Sequence, residues 1–393
     1  MNIMGLKIEG MKRNGFIKML KKTRNIFITV VAITLVTPLC MQKKMPDMEK
    51  DLGIENVNNI VTDTLIEKDT LISIVGVGDI MLGTDYPNAY YLPPGKECGG
   101  LMKNVISYLL DADITFGNVE GVFAGDKGKA KPCNNPTQCY VFRMPERYVQ
   151  CLVDADFDLV SVANNHVNDF GYVGTINSER VMKEAGLNFA GYQRNPYLTM
   201  EKNGVKYGFC AFAPHTGTAD FRKINEVVSI VAMLDSIADI VIVSFHSGAE
   251  GKSNQHVTRK DEIFLGCNRG NVYEFAHKVI DAGADVVFGH GPHVTRAVEL
   301  YKDRFIAYSL GNFCTYRRFN LSGPNGYAPI VKINIDKNGI FSSGKVIPIY
   351  QEGEGITKYD SLNRAVKKIQ ELTKMDFPEG KLVIEDDGSI HPL

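Results

Sequence analysis

The sequence predicts an α/β domain of layered strands and helices, on three observations. Five short apolar runs rich in Val and Ile recur along the chain: LISIVGVG (71–78), DITFG (113–117), DLVSVA (158–163), DIVIVSF (239–245) and ADVVFG (284–289). Helical patterns lie between them, at 146–154, 173–185, 226–236 and 269–282. Each run is also followed closely by an acid, an Asn or a His. Short β-branched runs alternating with helical stretches read as buried strands of a layered sheet rather than as helices.

Composition bounds the alternatives. At 393 residues the chain exceeds one average domain, so it holds two, or one large α/β domain with insertions. Hydrophobic residues at 44% and charged residues at 23% exclude wholesale disorder. A formal net charge of −1 carries no electrostatic footprint for nucleic acid. The 37 glycines, without collagen-like periodicity, fit many tight strand-to-loop turns.

From the N-terminus, Lys7, Lys12, Arg13, Lys18, Lys21, Lys22 and Arg24 precede an uncharged run, Ile26 to Cys40. That run is short for a membrane span and the right size for the apolar core of an export signal. Met19 opens a segment that alone reads as a complete signal. Cys40 resembles a lipoprotein acceptor, although Leu39 stands where that pattern wants a small residue, so lipidation and simple cleavage both stay open. On this reading residues 1–40 are an export signal or membrane anchor and 41–70 a polar linker. Residues 71–350 form the main domain and 351–393 a C-terminal extension, loop-like at first, with an amphipathic helix over 361–374. The protein is expected in the cell envelope, where an oxidising compartment lets Cys133 and Cys139 close a small loop. Cys98 and Cys267, both in loops, are candidates to pair; Cys151, Cys210 and Cys314 lie in apolar stretches and read as core thiols.

The chemistry sits after the strands. The following residues are Asp79; Asn118 and Glu120; Asn164, Asn165 and His166; His246; and His290 and His293. In open α/β sheets the site lies outside the carboxyl ends of the strands. Each residue alone has a bland reading as a turn, cap or core side chain. Their convergence points to a mixed oxygen–nitrogen metal site. The His pair in GHGPH is the sharpest piece, with Gly289 and Gly291 freeing the backbone and Pro292 stiffening it. Competing motifs fail: a P-loop ending at Gly251-Lys252-Ser253 would need its first Gly at His246, and a dinucleotide fingerprint from Gly76 would need Gly at Met81. No GxSxG elbow occurs.

At GDIMLG (78–83), GNVEG (117–121), NNHVNDFG (164–171), HSGAE (246–250), GHGPHV (289–294) and YSLGNF (308–313) the sequence resembles the CapA family of capsule synthesis, associated with poly-γ-glutamate. That family is similar to the calcineurin-type metallophosphoesterases. The resemblance implies a metallophosphoesterase-like two-sheet α/β sandwich with helices on the outer faces and a centre for one or two divalent ions. It implies Asp79, Asn165, His246, His290 and His293 as metal ligands, Glu120 as a metal-bridging carboxylate, and His166 as the acid, oriented by Asp169. Glu250 is a candidate for substrate contact. The departures are Met81 where the pattern has His, Glu120 for Asp, Ser247 for an aromatic residue, and Gly291 for a further His. Met81 is a poor ligand for a hard ion, which predicts a weak or empty second position. His with carboxylate and amide oxygen suits Mn, Fe or Zn.

Two readings follow: a metal-dependent hydrolase, or a non-catalytic binding component of a polyglutamate synthesis and export complex. Either would meet an anionic envelope polymer such as polyglutamate, and membrane proteins of capsule synthesis and export; nucleic acid is not an expected partner. Arg317 and Arg318 are expected on the cleft rim, steering carboxylate or phosphate groups. The three lysines of GDKGKAK (125–131) read as surface charge that suits the same ligand.

Overall fold

Alternation within the strand Ile240–His246 sets the architecture. Ile240 and Ile242 face one hydrophobic cluster, whereas Val241, Val243 and Phe245 face another. A strand buries both faces only when its sheet is covered on both sides. The computed structural model describes residues 71–133 and 139–393, all within one compact unit. The export segment and linker expected over 1–70 lie outside the described residues. Among the described residues no helix is long and apolar enough to cross a membrane.

In chain order the strands are β1 (Ile72–Met81), β2 (Ile114–Val119), β3 (Leu159–Ser161), β4 (Asn188–Ala190), β5 (Tyr197–Lys202), β6 (Val205–Phe212), β7 (Ile240–His246), β8 (Ile263–Phe264), β9 (Cys267–Asn268) and β10 (Val286–His290). They continue as β11 (Val298–Tyr301), β12 (Arg304–Ala307), β13 (Asn312–Thr315), β14 (Tyr327–Ile335), β15 (Phe341–Glu352), β16 (Ile356–Tyr359), β17 (Leu382–Ile384) and β18 (Ser389–Pro392). The helices are α1 (Ile106–Leu109), α2 (Val149–Asp154), α3 (Gly171–Ala185), α4 (Ile224–Asp235), α5 (Val272–Asp281) and α6 (Arg364–Asp376). One sheet runs β17-β18-β15-β14-β1-β2-β3-β4, with β13 also on β1 and β16 on β15; the second runs β11-β12-β10-β7-β6-β5. The five expected runs are β1, β2, β3, β7 and β10. The hairpins β5–β6 and β14–β15 were not expected, since their outer residues are polar.

The sheets face each other across a shared core. Ile74, Ile114, Phe116 and Leu159 of the first meet Phe209, Ile242, Val286 and Phe288 of the second. The Phe116 and Phe288 rings stack at 5.3 Å. Gly76 of β1 is glycine for this reason: a Cβ there would lie 2.5 Å from the Phe288 ring. Helices cover the outer faces. Helix α3 turns Val181 and Met182 to the outside of the first sheet. Helices α4 and α5 turn Val227, Val231 and Leu234, and Phe275, Val279 and Ile280, to the outside of the second. Two sheets face to face with helices outside is the sandwich the resemblance implied.

Two expectations change. The boundary expected at 350 falls inside β15, and the residues after it add β16, β17 and β18 to the first sheet. Helix α6 seals the sandwich, with Val366 and Ile369 in the shared core. Cys98 bonds Cys151, not Cys267. The apolar stretch around Cys151 is one face of α2, which packs over Cys98, whereas Cys267 is exposed in the β8–β9 hairpin. Cys133 and Cys139 form the expected small loop, and Cys210 and Cys314 are buried thiols.

Candidate metal centre

Register brings the site together. Along the first sheet Asp79 pairs with Asn118 on one side and with Asn312 on the other. Along the second, His290 pairs with His246. Asp79, Asn118, His246 and His290 sit toward the carboxyl ends of parallel strands, whereas Asn312 opens β13. The β1–β13 pairing is irregular between Asp79 and Ile80, and Asp79 N–H donates to Gly311 O at 2.8 Å. In the turn after β10, Gly291 has φ +114°, and a Cβ there would lie 2.7 Å from Ser247 O, so only glycine lets this turn approach β7.

The side chains converge. Asp79, Glu120 and His246 are wholly buried, and each offers a ligand atom within 4.8 Å of the others. His293 Nδ1 lies 2.9 Å from Asp79 Oδ2, and its Nε2 lies 3.6 Å from Glu120 Oε1. His290 Nδ1 stands 3.4 Å from Asp79 Oδ1. His246 Nε2 and His166 Nε2 each lie 3.9 Å from Glu120 Oε1. Asn118 holds the group in place, donating to Asp79 Oδ1 at 2.8 Å. Asn164 fixes the loop before His166 by donating to Val119 O at 2.8 Å and accepting from His166 N–H at 3.1 Å.

The donor set fits a metal ion. Both carboxylate oxygens of Glu120, Asn165 Oδ1, His246 Nε2 and both ring nitrogens of His290 are buried with no hydrogen-bond partner among the described residues. Buried polar atoms left without partners each cost about 1–3 kcal/mol, and native proteins keep few of them. Those of Glu120, His246 and His290 gather around Asp79, and the set offers carboxylate, amide and imidazole atoms, the donors a divalent transition ion takes. Met81 takes no part. Its sulfur accepts from Gly83 N–H at 3.3 Å inside the core.

The electrostatics carry the same signature. Burial pushes the Glu120 carboxyl well up, with Asp79, Glu250 and Asp169 adding to it and His293 opposing. Burial would lower His293, but Glu120 and Asp79 beside it raise its imidazole to about 10. Asp79 is also opposed by burial, yet His290 and His293 hold it far below the carboxylate range. His246 is held neutral by burial. A cation would supply the positive charge that buried Asp79 and Glu120 lean on here.

Beside this group stands a proton-handling pair. His166 Nδ1 lies 2.8 Å from Asp169 Oδ2, and Asp169 also accepts from Phe142 N–H at 2.7 Å. Phe142 stacks on the His166 ring at 4.1 Å. Burial lowers His166 while Asp169 opposes. Lys131 Nζ reaches 2.6 Å from Asp169 Oδ1, in an ion pair. Lys131 is therefore not simple surface charge.

The remaining candidates stand further out. Glu250 pairs with Arg269 at 2.9 Å. Arg317 pairs with Glu354, donates to Tyr90 O at 2.7 Å and lies over the Tyr90 ring. Arg318 lies over the rings of Tyr91 and Tyr140, with no carboxylate partner among the described residues. Its neighbour Phe319 packs edge-on against His293. Sequence reasoning passed over His215 and Arg269. His215 follows β6, so the rule that found the other strand-end residues reaches it too. Its ring lies 6.1 Å from that of His246, and burial with Arg269 beside it lowers it to about 3. Arg269, after β9, had no such signal.

Comparisons with known proteins identify a family and several relatives. The family described as "Bacterial capsule synthesis protein PGA_cap" matches residues 73–317. The chain is 28% identical over 260 residues to the capsule biosynthesis protein CapA of Bacillus anthracis, covering 60% of this chain and 58% of that protein. It is 26% identical over 356 residues to the PGA biosynthesis protein CapA of Bacillus subtilis, covering 82% and 84%. Among solved structures, purple acid phosphatase PPD1 of yellow lupin overlaps 74% of this chain and 54% of its own, at 11% identity and a TM-score of 0.36.

Proposed function

Because the chain belongs to the bacterial capsule synthesis protein family PGA_cap, we propose that it serves capsule synthesis as a metal-dependent hydrolase of an anionic envelope polymer. Export through the N-terminal segment, retention at the membrane and contact with capsule synthesis and export proteins belong to the same proposal. Polyglutamate is the polymer the relatives' names suggest. The observation that carries the reading is the set of unpartnered buried donor atoms on Glu120, Asn165, His246 and His290.

Asp79, Glu120, Asn165, His246, His290 and His293 would hold one or two ions of Mn, Fe or Zn. When bound, such an ion activates water and stabilises charge on the oxygens of a displacement. The chain's own residues do the rest. Asp169 fixes the His166 ring through Nδ1, which leaves Nε2 facing the site at Glu120. A ring fixed in this way can give a proton to a leaving group at Nε2. Phe142 and Phe319 stack at 5.2 Å and shield His166 and His293 from water on that side.

The test is metal content of the purified full-length chain, with Asp79→Ala/His293→Ala as control. One or two equivalents in the parent and none in the variant support the centre; a folded parent that takes no metal after loading overturns it. His166→Ala should keep the metal and lose turnover of a phosphodiester or a γ-glutamyl amide. Metal without turnover on either substrate class would overturn hydrolysis and leave a metal-assisted binding component.

A further inference from the structure

His215 lies between the metal centre and a cavity of about 300 Å³ that it lines with Gln193, Thr216, Gly217 and Thr218. On the other side its ring faces that of His246 at 6.1 Å. Its backbone is pinned, because Thr218 Oγ donates to His215 O at 2.7 Å. Its ring is pinned by one contact, 2.9 Å from Nε2 to Arg269 Nη1. Nδ1 makes no hydrogen bond among the described residues.

That contact decides the tautomer. A guanidinium has only donors, so Nε2 must be the lone-pair nitrogen that accepts, and Nδ1 carries the hydrogen. Arg269 cannot easily turn away. It is buried, its Nη2 donates to Glu250 at 2.9 Å, and Ser247, next to His246, donates to its carbonyl. Its backbone N–H donates to Glu262 O at 2.8 Å. One ring nitrogen is thus tied back by a buried charge, and the other makes no hydrogen bond among the described residues on a ring that lines the cavity.

We propose that His215 is a substrate-binding residue whose Nδ1–H donates to an anionic oxygen, phosphoryl or carboxylate, of a ligand in the cavity next to the metal centre. The assignment rests on the hydrolase reading only for what the ligand is; the fixed tautomer does not depend on metal. Glu250 and Arg269 act through His215 as positioning residues.

The test is histidine-selective ¹⁵N NMR on the full-length chain, first metal-free and then loaded with zinc as a diamagnetic ion. His215 should show the Nδ1–H tautomer, and Arg269→Met should move it to Nε2–H. Titration with inorganic phosphate and, separately, glutarate should shift the Nδ1 signal; whichever acts names the oxygen source. His215→Phe should weaken that binding about tenfold, as expected for one hydrogen bond to a charged group, and His215→Asn, which keeps an N–H near Nδ1, should restore most of it. Zinc content should be the same in all variants. An Nε2–H tautomer in the parent overturns the proposal. So does His215→Phe binding both anions like the parent, or neither anion moving the signal. A parent that takes no metal overturns the hydrolase reading instead, because the tautomer is read without it.

Discussion

The two ends of the parallel strands use similar side chains to opposite effect. At the amino ends an Asp precedes each of β2, β3, β7 and β10, and each caps the neighbouring strand. Asp113 accepts from Ser73 N–H at 2.9 Å, Asp158 from Thr115 at 2.9 Å, Asp239 from Lys206 at 2.8 Å and Asp285 from Val241 at 2.8 Å. Each of these residues also donates its own N–H back to the strand it caps. At the carboxyl ends, Glu120, His246 and His290 keep buried atoms with no partner. Acids at strand ends are thus no signature by themselves. What separates scaffold from site is whether the buried polar atoms are satisfied by the protein alone.

The largest expected effect tests the unsatisfied end. Zinc or manganese at a thousandfold excess over its Kd should stabilise the parent by about 4 kcal/mol, because only the folded state holds the centre. Glu120→Gln, which removes the carboxylate charge at the centre, should lose most of that gain. Urea unfolding with and without metal reads it. A variant that keeps the full gain would place the ion away from Glu120.

The satisfied end should respond the other way. Asp158→Ala leaves the buried Thr115 N–H without its side-chain partner and removes the carboxylate 2.6 Å from Lys202 Nζ. The expected loss is about 2 kcal/mol, independent of metal. Asp158→Asn keeps an acceptor and should recover part of it. A loss that depended on metal would break the separation between the two ends.

This difference also explains what the sequence could show. Strands buried on both faces are legible because each is a short unbroken apolar run, and the site because a polar residue interrupts the chain after each one. Strands β14 and β15 were invisible for the opposite reason: Lys332, Asn334, Ser343 and Lys345 alternate with core residues, since one face there is partly open. Arg269 was invisible because its place follows from the β8–β9 hairpin folding back on β7, a contact with no local pattern. Lys131 sits among glycines and lysines that look like solvent-facing charge. Only the partner 38 positions later, Asp169, gives it a role.

The smallest effect is the most pointed, because the variant that loses metal should be the more stable protein without it. In chelator, Glu120→Gln removes a carboxylate that burial, with Asp79, Glu250 and Asp169 adding and His293 opposing, holds well above its ordinary range. The sign follows from proton counting. Above pH 4.5 the unfolded chain releases the Glu120 proton while the folded chain still holds it, so the parent loses stability as pH rises and the glutamine variant does not. His293 works against this, since its raised imidazole contributes stability that is complete below pH 6.5 and lost through about pH 10, and part of that rests on Glu120. Asp79 still accepts from His293 at 2.9 Å in the variant, so most of that term survives. The balance should favour Glu120→Gln by about 1 kcal/mol at pH 8 and vanish near pH 4.5. A metal-free variant less stable than its parent at pH 8 would mean that His293 alone satisfies Glu120, and the contrast between the two ends of the strands would fail at its central residue.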